Sequence, residues 1–219
     1  MSEDWYRNTE WSDKTREAFF AKLKRSRSQR DQYLAIQALT LAPHEPDAAL
    51  DLATLYFDTR TDDFDDNRVR LAQARAFSAA GRLDDAADTF RQAALADAAN
   101  PTFKTNSAVE YARFVVENAL THRYREVALW MGDIEAVFLL PREGYLWHGI
   151  HAAISADDNN PSEAQRHAGL ALDYAARTKS SIPNHPALGL IAAHERETEF
   201  YRQVEGLLAK QDAKKKGPE

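Results

Sequence analysis

Five of the seven histidines crowd into the last third of the chain: His148, His151, His167, His185 and His194. His148 and His151 stand three residues apart, a spacing that puts two side chains on one face of a helix, where imidazoles can share a metal ion. His167 or Asp157 would supply a third ligand. The same spacing also suits packing histidines beside Trp147, and no full metalloenzyme motif accompanies the pair. The expectation is therefore no metal and no cofactor, with His148 and His151 kept as the candidates. A second cluster is acidic: Asp58-Thr59-Arg60-Thr61-Asp62-Asp63-Phe64-Asp65-Asp66. It departs from a calcium loop, having no central glycine, an arginine at the third position and no closing glutamate. It reads instead as a solvated loop in which Asp65 or Asp66 caps the following helix. A third cluster is basic: Lys22, Lys24, Arg25, Arg27 and Arg30. Basic residues at a helix C-terminus complement its dipole, and the same residues could meet a phosphate backbone or an acidic partner.

Other chemistries find no residues to carry them. No Gly-x-Ser-x-Gly elbow and no phosphate-binding glycine loop occur. The 219 residues include no cysteine, which removes disulfides, thiolate metal sites and thiol nucleophiles. The expectation is a protein that is not an enzyme. Lys and Arg total 28 against 34 Asp and Glu, a net charge of −6. That balance argues against nucleic acid as the main partner. The start Met1-Ser2-Glu3-Asp4-Trp5 has no basic and apolar leader. The longest aliphatic and aromatic run, Ala136 to Leu140, is too short to span a bilayer, so no membrane partner and a cytoplasmic location are expected.

The elements that must hold these residues are helical. The eight prolines and many of the glycines punctuate the chain, at Pro43, Pro46, Gly81, Pro101, Pro141, Pro161, Pro183 and Pro186 among others. Between them lie stretches rich in Ala, Leu, Glu, Gln and Arg, all good helix formers. No sustained alternation of apolar and polar residues supports a strand. The start and stop signals predict about ten helices, over 12–27, 29–42, 46–59, 66–80, 84–98, 105–121, 124–138, 143–156, 161–178 and 186–211, with Ser12 as the first N-cap. The short connections imply antiparallel neighbours.

The helices come in repeating pairs. Tyr33-Leu34-Ala35-Ile36-Gln37-Ala38-Leu39 followed by Pro46-Asp47-Ala48-Ala49-Leu50 matches Leu71-Ala72-Gln73-Ala74-Arg75-Ala76-Phe77 followed by Asp84-Asp85-Ala86-Ala87-Asp88, at an offset of 38 residues. Weaker copies begin near Ser107 and near Tyr145. A period of this size indicates a solenoid. Within Arg70 to Leu95, Ala74, Phe77, Gly81, Ala86, Phe90 and Ala93 stand where small, aromatic and turn residues are required, and this segment resembles a tetratricopeptide repeat. The chain is thereby expected to be all-α: a right-handed α-α superhelix of the tetratricopeptide type, a divergent bacterial member. Trp11, Phe19-Phe20-Ala21-Lys22-Leu23 and Gln32-Tyr33-Leu34-Ala35-Ile36-Gln37-Ala38 are similar to the opening of a bacterial group of such proteins. The expected organisation is an N-terminal segment and capping helix over 1–29, repeats over 30–178, a C-terminal capping helix over 179–211 and a disordered tail over 212–219.

What the resemblance implies is a concave groove lined by the first helix of each pair. Its register puts Tyr33, Gln37, Arg68, Leu71, Arg75, Leu146, Ile150 and Ile154 there. A groove with an arginine end and an apolar end suits a protein or peptide carrying acidic groups. Arg75 stands where the family's carboxylate clamp has Asn, which speaks against a chaperone-tail clamp. The expected function is a non-catalytic interaction module, a scaffold or adaptor. The alternatives are an immunity or antitoxin-type inhibitor of a basic toxin, a metal-dependent enzyme on the His148/His151 helix, and an RNA-binding repeat protein using the Lys22–Arg30 cluster.

Overall fold

A computed structural model describes residues 4–26, 28–99, 107–132 and 138–215, with side chains to residue 209. The described residues are helical and contain no strand. Ten α-helices follow in order: α1 Asp13–Leu23, α2 Arg30–Leu41, α3 Pro46–Thr59, α4 Asp66–Ala79, α5 Leu83–Ala99, α6 Ser107–Glu117, α7 Tyr124–Met131, α8 Pro141–Asp157, α9 Pro161–Ala175 and α10 Glu199–Lys215. Two short 3-10 turns cover Thr121–Arg123 and Ala193–Glu197. None of the described helices is long and apolar enough to cross a membrane. The chain forms two compact units, Met1–Tyr111 and Ala112–Glu219, so the division falls inside α6.

Local chemistry accounts for the helix ends. Ser12 caps α1, its hydroxyl accepting from the Thr15 amide at 3.2 Å. Pro46, Pro141 and Pro161 each open a helix, where a missing N–H costs nothing. Asn160 caps α9 by accepting from the Glu163 amide at 3.3 Å. The α4 to α5 turn uses Gly81 at φ +73°, with the Arg82 amide donating to Phe77 and the Gly81 amide to Ser78. This is the Schellman pattern, and the Arg82 guanidinium lies 4.4 Å from the Phe77 ring.

In the first unit α2 packs on α3, and α4 packs on α2, α3 and α5. The contacting faces are small. Ala35, Ala38, Ala49, Ala53, Ala72 and Ala76 are fully buried in one cluster with Phe19, Leu34, Leu41, Tyr56 and Val69. Alanine at these positions lets helix axes approach to the short end of the usual 8–10 Å spacing. Larger side chains such as Leu34 and Leu41 supply the energy, about 1.5–3 kcal/mol each on full burial.

The second unit is organised around α8, which packs on α7, α9 and α10. Ten of its residues, from Pro141 to Ile154, are buried, on every side of the helix. Close approach is made here by glycine against rings. A Cβ at Gly144 would sit 2.5 Å from the Tyr174 ring of α9, and one at Gly149 would sit 2.7 Å from the Phe200 ring of α10.

The last predicted helix, 186–211, begins later than its apolar pattern suggests. Residues 176–192 form an irregular connection, followed by the 3-10 turn and then α10. Asn184 and Gly189 take φ values of +64° and +68°, which a helix cannot contain. The connection is fixed instead by other partners. The Arg142 amide donates to Gly189 at 2.8 Å, and the Arg142 side chain meets Glu195 at 2.6 Å. The far half of the predicted helix 124–138 also differs, since α7 stops before Gly132 at φ +67°. Residues 133–137 lie outside the described set.

Candidate functional site

The eight predicted groove residues divide sharply by exposure. Leu71 is 9% exposed, Leu146 4% and Ile150 0%, and Ile154 is likewise buried. Leu146, Ile150 and Ile154 are core side chains because α8 is enclosed by three helices, and Leu71 is buried on α4 between the surface residues Arg68 and Arg75. Gln37 is also 0% exposed, for a different reason: a segment from the N-terminus lies over it. Tyr33, Arg68 and Arg75 keep surface. The Arg75 side chain is 45% exposed, with its guanidinium 3.9 Å from Glu110. Arg68 is 37% exposed and paired with Asp65.

The covering segment runs from Asp4 to Trp11. It belongs to no helix, and the Arg7 amide closes a turn on the Asp4 carbonyl. Tyr6 stacks on Tyr33 with ring centroids 4.6 Å apart, and Trp5 meets the same ring edge-on at 4.8 Å. Gln37 Oε1 accepts from the Asn8 amide at 3.0 Å and from Asn8 Nδ2 at 2.8 Å, and Gln37 Nε2 donates to the Asn8 carbonyl at 2.7 Å. Trp11 packs edge-on against Phe19. An open cleft of about 550 Å³ separates part of this segment from α1, lined on one side by Asp4, Trp5 and Asn8 and on the other by Lys14, Thr15, Ala18, Phe19 and Lys22. Periodicity gave no sign of this docking, because an irregular segment carries none. Its signal is compositional: two tryptophans and a tyrosine within seven residues, 5–11, ahead of the first helix.

The acidic stretch forms an ion-pair and hydrogen-bond network. Asp66 accepts from the buried Tyr56 hydroxyl at 3.1 Å, from Arg60 at 2.9 Å and from Arg70 at 3.4 Å. Asp31 accepts from the Thr61 amide and hydroxyl, both at 2.8 Å. Asp65 occupies the N-cap position of α4 but makes no side-chain cap bond, because its carboxylate turns to Arg68. Burial pushes that carboxyl above its ordinary range, against the pull of Arg68. Asp66, in the first helical turn, still favours the positive end of the dipole. The basic cluster is likewise dispersed: the Lys22 ammonium lies 5.7 Å from the Trp5 ring centroid, and Arg30 donates to Thr59 at 2.7 Å. Arg27 lies outside the described residues.

The histidines do converge. His148 of α8 and His167 of α9 approach with their Nδ1 atoms 2.9 Å apart. His151 lies against the Trp147 ring at 3.9 Å and parallel to His167 at 5.2 Å. Arg166 lies 2.9 Å from His167 Nε2. A guanidinium only donates, so Nε2 of His167 must accept and its proton must sit on Nδ1. That proton goes to Nδ1 of His148, which leaves His148 protonated on Nε2. Burial, then the Arg166 charge, lower the His167 pKa to about 4. His167 is neutral at pH 7, and the two imidazoles are bonded to each other. Among the described residues no three His, Cys, Asp or Glu side chains are arranged to hold a metal. Asp157 is exposed, and so are His185 and His194 on the later connection.

No protein-family model, no curated protein and no solved structure matches the chain.

Proposed function

We propose that the chain is a non-catalytic protein-interaction module, a divergent superhelix of the tetratricopeptide type that takes a protein or peptide carrying carboxylates. The observation that carries this reading is the packing of α4, which lies against both helices of the preceding pair as well as on its own partner α5. Pair stacked on pair is how a solenoid hides faces that one hairpin leaves open. The residues of the tetratricopeptide-like segment behave as such a role requires: Ala74, Ala86 and Ala93 are fully buried, Phe90 nearly so, and Gly81 makes the turn. Arg75, 45% exposed on α4, gives this face a guanidinium that can fork onto a carboxylate, while Arg68, two helical turns earlier, holds Asp65.

Arg75→Glu tests the reading, because Arg68 must stay to hold the buried Asp65. Affinity capture with the wild-type chain should enrich a protein that the folded Arg75→Glu variant fails to retain, and that protein should bind more weakly as salt is raised. Equal retention by both proteins would remove the α4 face from consideration.

A further inference from the structure

We infer that the face of α2 carrying Tyr33 and Gln37 is a peptide-docking site, and that the chain's own Trp5–Asn8 segment occupies it as a displaceable internal ligand. The external ligand it would take is a peptide with an aromatic residue two positions before an asparagine, turning at that aromatic residue as the internal segment does. This rests on the reading of the chain as a peptide-binding module, and it adds both a second face and its regulation.

Gln37 shows the recognition chemistry. Two of its three hydrogen bonds go to the backbone amide and carbonyl of Asn8, groups that every non-proline residue offers. The third goes to the Asn8 side chain and adds specificity. A fully buried glutamine amide thus reads a peptide unit as a strand edge would. Tyr33 shows the second contact, its ring stacked on Tyr6. The spacing fits a ligand that turns at its aromatic residue: the Arg7 amide closes a turn on Asp4, and Tyr6 and Asn8 meet Tyr33 and Gln37, which lie one helical turn apart, a rise of about 6 Å.

Other features mark the occupant as exchangeable. The segment belongs to no helix, and Trp5, Tyr6 and Asn8 each remain only half-buried. On the α1 side Trp5 meets Phe19 at 5.5 Å, but a cleft of about 550 Å³ adjoins this contact, so the segment is not packed all round. A segment outside any helix or strand, without regular backbone hydrogen bonds, lies toward the low-stability end of a fold. Trp11, on Phe19 and Phe20, anchors its C-terminal end and would keep it nearby after release. A tethered competitor acts at an effective concentration in the millimolar range, so an external peptide meets a closed site in the wild-type chain.

The test uses the full chain carrying Tyr6→Ala and Asn8→Ala, and a fluorescein-labelled peptide copying residues 4–11. Anisotropy should show saturable binding at least tenfold tighter than to the wild type, abolished when Gln37→Ala is added. A variant that keeps its helical circular dichroism and binds no better than wild type overturns the proposal. If the variant does not fold, hydrogen exchange on the wild type decides. The Asn8 amide should exchange at least tenfold faster than the Ala38 and Leu41 amides of α2, and exchange in step with them shows a fixed part of the core and overturns the proposal. Arg75→Glu should leave the peptide affinity unchanged, so loss of the α4 face and loss of this one are read separately.

Discussion

The two units bury their helices by opposite means. In the first, the helices that meet carry alanine, and many small contacts share the load: Ala35, Ala38, Ala49, Ala53, Ala72 and Ala76 are all fully buried. Its buried carboxylates are paired, Asp65 and Asp66 gathering Arg60, Arg68 and Arg70 around the end of Tyr56. In the second, one helix sits inside and its neighbours reach it with rings, Tyr174 over Gly144 and Phe200 over Gly149. Its buried polar groups are titratable imidazoles rather than ion pairs. A core that distributes contact over small residues tolerates the loss of any one of them. A core that hangs on a few rings and on a histidine held neutral by burial is exposed to single truncations and to acid.

The largest expected effect follows from this. Phe200 is 1% exposed, fills the space over Gly149 and meets Tyr145 at 5.6 Å. Phe200→Ala should cost about 3–5 kcal/mol, the range for a buried phenylalanine whose cavity cannot collapse. Collapse is blocked here because the residue facing the cavity is a glycine with no side chain to move in. Ala72→Gly in the first unit removes one methyl and should cost about 1 kcal/mol, most of it backbone entropy. Urea titrations of the two variants measure the ratio. Comparable losses would mean that the second unit is not ring-dependent.

Acid sharpens the contrast. The unfolded chain binds a proton at His167 near the ordinary histidine value of about 6.5, whereas the folded chain holds that pKa down to about 4. Between those values the unfolded state carries the extra proton, so stability is complete above about pH 6.5 and is lost as the pH falls toward 4. At about 1.4 kcal/mol per pKa unit the full loss from this group is at most about 3.5 kcal/mol. Carboxylates titrate in the same window, so the comparison to make is with His167→Gln. The stability difference between wild type and this variant should shrink as the pH is lowered from 7 to 5. A difference independent of pH would show that His167 is not held neutral by the fold.

How far these features could be read in the sequence varies with their physical origin. Helix existence was legible because apolar spacing, capping residues and proline positions are local: α3 begins at Pro46 and α9 at Pro161 as expected, and Ser12 caps α1. The late start of α10 was not, because the apolar residues Leu188 and Ile191 fit a helical pattern while Gly189 and Asn184 take left-handed conformations fixed by contact with Leu140 and by the turns around Pro186. Site residues fared according to burial. Arg75 was recognisable as surface from its charge. Gln37 was not recognisable as buried, since its polar amide is satisfied by Asn8, 29 positions away in sequence. Leu146 and Ile150 were assigned to a groove by a register that says which residues share a face but not which helices will cover it.

The smallest effect compares helix ends that share one motif. After α4, α6 and α8 the chain turns through a left-handed residue flanked by the same pair of bonds. The residue is Gly81 at φ +73°, Ala119 at φ +50° and Asn159 at φ +55°. A Cβ at Gly81 would meet nothing within 4 Å, so Gly81→Ala probes backbone preference alone and should cost about 1 kcal/mol. Ala119 is exposed and already bears that strain, so Ala119→Gly should gain up to about 1 kcal/mol. Part of the gain is returned because glycine loosens the unfolded chain. The pair of changes, in opposite directions at equivalent positions, should therefore be opposite in sign and unequal in size, with the loss at Gly81 the larger. Thermal melts of the two variants resolve this. A loss at Ala119 as well would mean that its methyl makes a contact worth more than the strain, and that the second unit depends on side chains even where the first depends only on backbone.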